Sequence, residues 1–455
     1  MRRIALAVAF VTAVNLFAAT TSASAFPSAI GRTPPSAKTP PTIGAPRGLP
    51  HSSNPRQIAD VRIGAGAGTG AVAVNERTGR AYVANGGAWG ADPLNPLVST
   101  VTVLDADTNH VITNVPVPSA YGPSTGRPNG PVAFAIDESR NLVYIAGNDG
   151  TISVLDGWRN RIVRRFTVPT DPNAFEGVFV GAILLSEHTG QLYISVGNTR
   201  IDVVDPRSGN VLEQIADDQA GFMTIDQRTD TIYADHYWDA SVSVIDGATG
   251  TVTAEIDGVG SPAVPNDCYL TDTCNAEGSG LDGLAVDSDL HHLYVVGTND
   301  GSLVTIDTRT NQVVRTQTIG GNLFNVAVDP WTHRVYTISD LGATMAVVDG
   351  QSGKVLATGI PVGPAPSPPD CQTDCTIGGL PQGLTVDGLT GRIYVGDYGD
   401  ITTADPLGEV VVFDGRAGSW GERCGWDGCA RAFPPLAARE LAALEQLLAR
   451  KGLAR

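Results

Sequence analysis

Between residues 57 and 415 the chain runs repeatedly through one order of apolar and polar positions. In its first copy, Gly70–Asn75 is a run of small and branched residues that ends in a short polar side chain. A polar turn, 76–79, follows, and Arg80–Asn85 returns as a second apolar run with Tyr82 inside it. Thr100–Asp105 alternates branched residues with threonine and ends in Asp; after a turn at 106–109, His110–Val115 makes the fourth run. Short runs rich in β-branched residues, bounded by Asn, Asp, Gly and Thr, predict strands joined by tight turns. The residue ending the first run is in turn Asn75, Asp137, Ser186, Asp226, Asp287, Asp329 and Asp387. Seven positions after each stands Tyr82, Tyr144, Tyr193, Tyr233, Tyr294, Tyr336 or Tyr394. Composition does not produce so constant an offset, because the chain holds only 11 tyrosines. The third run ends each time in Asp, at Asp105, Asp156, Asp205, Asp246, Asp307, Asp349 and Asp414. Those carboxylates are expected to cap the backbone of the turn that follows.

Seven units of four short strands predict an all-β, seven-bladed β-propeller of four-stranded blades. The small first strand suits the crowded inner position, and the tyrosines are expected to pack between blades with their hydroxyls reaching a neighbour. The seventh unit, with Gly383–Asp387, Arg392–Val395 and Glu409–Asp414, has no fourth run after it. Gln57–Gly64, ahead of the first unit, matches a fourth strand such as Val355–Gly363, so residues 57–63 are expected to complete blade 7 and close the ring. Beyond 415, an irregular stretch is followed by Pro434-Pro435 and by Ala437, Leu441, Leu444 and Leu448 at helical spacing, with Gly452 after them. That pattern predicts a short C-terminal helix over 434–451.

The units resemble the YVTN-type β-propeller repeat: an apolar strand ending in Asp or Asn, a Thr-Gly turn, Arg-x-Tyr-Val, then Val-x-Val-x-Asp. The closest copies are Asn75–Asn85 and Asp387–Val395, and blade 3 departs most, with Ser186 in place of the acid. The resemblance covers 57 to about 415. It implies the propeller fold and an exported or cell-surface bacterial protein, and it brings no catalytic motif with it.

The ends of the chain add a destination. Arg2 and Arg3, the apolar run from Ile4 to Ala19, and Ala23-Ser24-Ala25 read as a signal peptide over 1–25, so the mature protein is expected outside the cytoplasm with no transmembrane segment. Residues 26–56 are rich in Pro, Ser and Thr and are expected to be a disordered spacer; 57–415 is the propeller and 416–455 the Cys-containing loop and helix. A formal net charge of −17 argues against a nucleic-acid partner. The 6 cysteines fall in three local couples, Cys268 with Cys274, Cys371 with Cys375, and Cys424 with Cys429, which in an exported protein read as disulfides.

Candidate chemistry follows from loop length. The large insertions precede blades 2, 3, 5 and 7 or join the second and third strands of blades 1 and 7, so all of them fall on one propeller face. Long loops on one end of a rigid frame are where binding resides. The binding-face candidates are Asn85, Asn148, Asp149, Asp235, His236, Trp238, Asp239, Asn299, Asp300, Asp340, Asp397 and Asp400, with Asp282, Asn325 and Gln382 at the channel entrance. Asn, Asp and Gly also serve as ordinary turn residues. A ring of carboxylates and amides could hold a hard cation such as Ca or Mg, and Asp282 and Asn325 are the metal candidates. His236 alone among the histidines reaches this face; His188, His291, His292 and His333 fall near first-to-second turns and His110 near a third-to-fourth turn. Histidine-based acid–base chemistry therefore has little to use there. Three functions stay open. The first is a non-catalytic, exported scaffold that binds a protein, glycan or small molecule through the loop-rich face. The second is a metal-dependent hydrolase, lactonase or lyase with its site at the channel mouth. The third is a structural cell-envelope protein attached by its helix.

Overall fold

The structure is a computed structural model that describes residues 54–65, 67–87, 99–117, 131–147, 149–169, 180–197, 199–217, 219–262, 280–339, 342–363, 381–397 and 407–416. The signal segment, the six cysteines and the expected C-terminal helix lie outside the described residues.

Alternation of buried and exposed positions gives strands, and the capped turns between them give hairpins, so each unit zips into an antiparallel four-stranded sheet. There are seven such sheets. The inner strand of each blade is β2 (Ala67–Asn75), β6 (Pro131–Asp137), β10 (Val180–Leu185), β14 (Ala220–Asp226), β18 (Leu281–Asp287), β22 (Leu323–Asp329) and β26 (Pro381–Asp387). Each inner strand packs beside the next, and β26 packs beside β2, so the blades form a closed ring. Closure uses the strand expected from the sequence: β1 (Arg56–Ala65) pairs antiparallel with β28 (Leu407–Asp414), as in Val61 opposite Val410. Blade 7 therefore joins both ends of the propeller, and its β28 edge is covered.

All seven turn-capping aspartates of the third strands act as expected. Asp105 accepts from the backbone N–H of Thr108 at 2.8 Å, and Asp246 from that of Ala248 at 2.8 Å. Asp156, Asp205, Asp307, Asp349 and Asp414 repeat the arrangement. The residue ending each first strand does the same for the turn after it, as with Asp329 and the N–H of Trp331 at 2.9 Å. Ser186 keeps the role with a hydroxyl, accepting from Thr189 N–H at 3.0 Å, which explains how blade 3 tolerates the lost acid.

The core is a set of seams between blades. Tyr82, Tyr144, Tyr193, Tyr233, Tyr294, Tyr336 and Tyr394 are all buried. Tyr294 donates to the carbonyl of Gly350 at 3.1 Å and Tyr394 to that of Ala106 at 3.2 Å, and Tyr193 donates to the carbonyl of Gly247; each acceptor lies in the next blade. Burial pushes the phenols of Tyr82, Tyr193 and Tyr233 up to about 12, so they stay protonated. Backbones approach closely in these seams. A Cβ on Gly383 would lie 2.3 Å from the Gly70 carbonyl, which leaves glycine as the residue that fits between blades 7 and 1.

Tyr394 spans the closing seam, so its two functions there separate by mutation. Tyr394→Phe removes one hydrogen bond and is expected to cost about 1 kcal/mol. Tyr394→Ala also empties the space and is expected to cost about 3–5 kcal/mol. Urea unfolding of both variants checks the ordering; equal losses would mean that the ring body does not fill the seam.

Candidate functional site

Antiparallel pairing sends two kinds of connection to opposite ends of the ring. First-to-second and third-to-fourth connections, such as 76–79, 227–230 and 308–311, are tight turns. Second-to-third and fourth-to-first connections share the other end, and they include 88–99, 117–130, 168–179, 257–280, 362–380 and 398–406.

Each inner strand reaches the loop-rich end through a break in register, as between Ala220 and Met223, Leu281 and Leu284, and Leu323 and Asn325. A bulge leaves backbone groups without ladder partners. Side chains of the second strands and inner strands take them up and carry the bond into the next blade. Ser195 Oγ accepts from Ala182 N–H at 2.8 Å and donates to the Gly221 carbonyl at 2.9 Å. Asp235 occupies the corresponding place in blade 4, two residues after the seam tyrosine. Its Oδ1 accepts from Phe222 N–H at 2.8 Å, and the backbone of Gly283 in blade 5 also hydrogen-bonds its carboxyl. Gly221 must lack a Cβ there, because one would lie 2.8 Å from Asp235 Oδ1.

Among the channel-entrance candidates, Asn325 and Gln382 belong to the same stitching. Asp282 is buried, with Oδ2 3.0 Å from Thr298 Oγ1. Asn325 donates from Nδ2 to the carbonyl of Gln382 at 3.1 Å, and its Oδ1 accepts from Val326 N–H at 2.8 Å. Phe222 and Phe324, from blades 4 and 6, meet edge to face with ring centroids 6.2 Å apart. Those blades are not neighbours, so the pair reaches across the channel side of blade 5. Among the described residues, no group of three or more His, Cys, Asp or Glu is placed to hold a metal ion.

Asp235 is fully enclosed. Burial, and next the nearby Asp282 carboxylate, push its carboxyl well above the ordinary aspartate value, which favours the neutral acid. Its Oδ2 is buried with no hydrogen-bond partner. His236, one residue on, points to the opposite side of the strand. Its Nε2 is 2.8 Å from Asp217 Oδ1 and its Nδ1 is 2.9 Å from Ser241 Oγ. Ser243 Oγ is 3.2 Å from Asp217 Oδ1, and Ser241 Oγ donates to Glu255 Oε1 at 2.9 Å. Burial opposes the imidazolium, but the hydrogen bond and charge of Asp217 outweigh it, and the pKa is raised. The constellation contains Ser, His and Asp, yet Ser241 is 1% exposed, so a substrate could not reach it as a nucleophile.

The other candidates scatter around the rim. Asn85 is buried and donates to Thr100 Oγ1 at 3.0 Å and Thr102 Oγ1 at 2.8 Å. Asp149 and Asp300 accept from the N–H two residues on, at 2.9 and 3.0 Å, as turn residues do. Trp238 packs against Tyr237 with centroids 4.9 Å apart, and the exposed Asp239 accepts from Gln219 Nε2 at 2.6 Å. Tyr237 lies 3.5 Å from Asn299 Oδ1. Asn148, Asp340 and Asp400 lie outside the described residues. The structure thus brings Asp235 and Asp282 together and links Asn325 to Gln382.

Two features escaped the sequence reading. Asp217, Ser241, Ser243 and Glu255 assemble around His236, although they come from three different segments. Asp397, on β27 (Arg392–Asp397), pairs in register with Glu409, and Asp60 on β1 lies close by. Burial, then the charges of Asp60 and Asp397, raise the Glu409 carboxyl to about 7. The available signal was register: Asp60, Asp397 and Glu409 fall together only once β1 is paired with β28.

The described residues form a seven-bladed β-propeller with its long connections at one end of the ring. No family model matches the chain, and no curated protein is significantly similar to it.

The acidic closure has a testable sign. A carboxyl with a folded-state pKa raised from 4.5 to about 7 gives up stability as pH climbs through that window. Glu409→Gln should therefore match the wild type in melting temperature near pH 4.5 and exceed it above pH 7. A constant difference across the range would remove Glu409 as the source.

Proposed function

We propose that the protein is an exported, non-catalytic propeller scaffold that binds a partner protein, glycan or small molecule through its loop-rich face. The observation that carries the reading is the asymmetry of the connections. The short capped turns gather at one end of a rigid ring, and the long connections, such as 257–280 and 362–380, gather at the other. A rigid ring that holds long connections on one side supports a recognition surface there. The signal-like first 25 residues, and the resemblance of the units to YVTN-type repeats of exported proteins, support the extracytoplasmic setting. Among the described residues, no helix is long and apolar enough to cross a membrane. Disulfides within the cysteine couples at 268 and 274, and at 371 and 375, would shape two of the long connections. The non-catalytic part of the reading rests on how the polar groups are used: Asn325 and Ser195 stitch blades together, and Asp282 is bonded to Thr298 within its own blade.

The test is a thermal-shift and array screen of the secreted protein against glycans, peptides, metabolites, Ca²⁺ and Mg²⁺. It compares a rim variant, Trp238→Ala with Asp239→Ala, with a variant of the opposite face, Trp331→Ala. Binding by the wild type that weakens at least about tenfold in the rim variant and persists in Trp331→Ala is expected. Binding that survives the rim change and fails in Trp331→Ala would overturn the assignment of the face, and turnover of a bound molecule would overturn the non-catalytic reading.

A further inference from the structure

The turn-bearing face carries a second, separate feature, in the seam between blades 4 and 5. Two residues before each seam tyrosine stands Arg80, Leu142, Gln191, Thr231, His292, Arg334 or Arg392. The three arginines do one job. Arg80 Nη1 donates to the Gly157 carbonyl and, at 3.0 Å, to Asn160 Oδ1. Arg334 Nη1 donates to the Gly415 carbonyl at 3.2 Å, and Arg392 Nη2 to the Asp107 carbonyl at 2.9 Å. Each guanidinium reaches from one blade into the third-to-fourth turn of the next and fills the lower end of the seam.

Blade 4 has Thr231 at this position, and its side chain is too short to cross. Its hydroxyl is engaged locally, 2.9 Å from Thr229 Oγ1. A cleft of about 380 Å³ opens there, lined among others by Asp226, Thr231, Tyr233, Asp246, Thr308 and Asn311. Asn311 follows Asp307 by the same interval that separates Asn160 from Asp156, and both asparagines have the left-handed backbone, with φ 56° and 50°. Asn160 Oδ1 receives Arg80. Asn311 Oδ1 is buried with no hydrogen-bond partner. Asn109 Oδ1, in the seam of blades 7 and 1, also lacks one, but there Arg392 already fills the seam.

The cleft keeps the acceptors of an arginine site and lacks the arginine. Asp226 and Asp246 add two carboxylates to the lining. Arg309 lines it as well, but is paired with Asp307 at 2.7 Å, and His291 Nδ1 faces Arg228 Nη2 at 3.0 Å. A guanidinium is planar, always charged and a donor at every nitrogen, which matches a cleft lined by an unpartnered amide oxygen and carboxylates. An ammonium ion offers one point charge and no such fork.

The geometry points to a guanidinium-binding site in the blade 4–5 seam, which takes an arginine side chain of a partner polypeptide in the place that Arg80 fills between blades 1 and 2. It lies on the face opposite the long loops and does not rest on the function proposed for them.

Isothermal titration tests the site directly. The probes are Gly-Arg-Gly, free arginine, and the peptide in which citrulline, a neutral isostere, replaces arginine. The wild type is expected to bind Gly-Arg-Gly saturably, at least roughly tenfold more tightly than the citrulline peptide. Thr231→Arg supplies the missing group in cis, so it should abolish binding and raise the melting temperature. Asn311→Gly keeps the left-handed turn, removes the unpartnered oxygen and should weaken binding roughly tenfold. This second variant serves if Thr231→Arg fails to fold. Absent saturation, equal affinity for the citrulline peptide, or unchanged binding in Asn311→Gly would overturn the site. Free arginine binding as tightly as Gly-Arg-Gly would overturn the polypeptide as its source.

Discussion

A buried phenol seeks an acceptor for its proton, and at Tyr193, Tyr294 and Tyr394 that acceptor is a backbone carbonyl of the next blade. Tyr294 reaches Gly350 and Tyr394 reaches Ala106. The rest of the structure depends on that contact. It sets the distance between blades, and so requires small residues where strands meet, such as Gly383 against Gly70. It also makes each blade incomplete without its neighbour, so the ring has to close. β1 closes it by joining β28, which ties the two ends of the propeller into one sheet.

The same seams explain why so many polar side chains are buried here. Toward the loop-rich end, Asn85, Asp235, His236 and Asp282 are enclosed, and each has a protein partner. They hold bulged inner strands and edge groups in register. The rim, where connections differ in length from blade to blade, carries the proposed recognition surface, and the seam beside Thr231 leaves Asn311 Oδ1 without a partner.

The frame was readable from the chain because its causes are local and repeated. A turn needs its cap, so Asp329 and Asp349 recur with their counterparts; a seam needs its tyrosine, so the offset of seven is kept. β1 could be placed because blade 7 lacked a fourth run. The site was less readable because its partners are remote in sequence. Asp217, Ser243 and Glu255 converge on His236 only after four strands are paired. The polar half of the third-strand alternation also misleads. Thr102, Ser153, Asp202 and Ser243 alternate with branched residues as solvent-facing positions do, yet all are buried. The six cysteines and the expected helix at 434–451 lie outside the described residues, and their roles stay with the sequence.

Amide hydrogen exchange of the full chain tests the account most directly, because it reads the stability of each strand separately. If seams and closure make the ring one cooperative body, the amides of β1 and β28 exchange with the same opening free energy as those of the inner strands β14 and β18. Exchange of β1 through a much cheaper local opening, with the inner strands still protected, would contradict the claim that the N-terminal strand holds the ring closed.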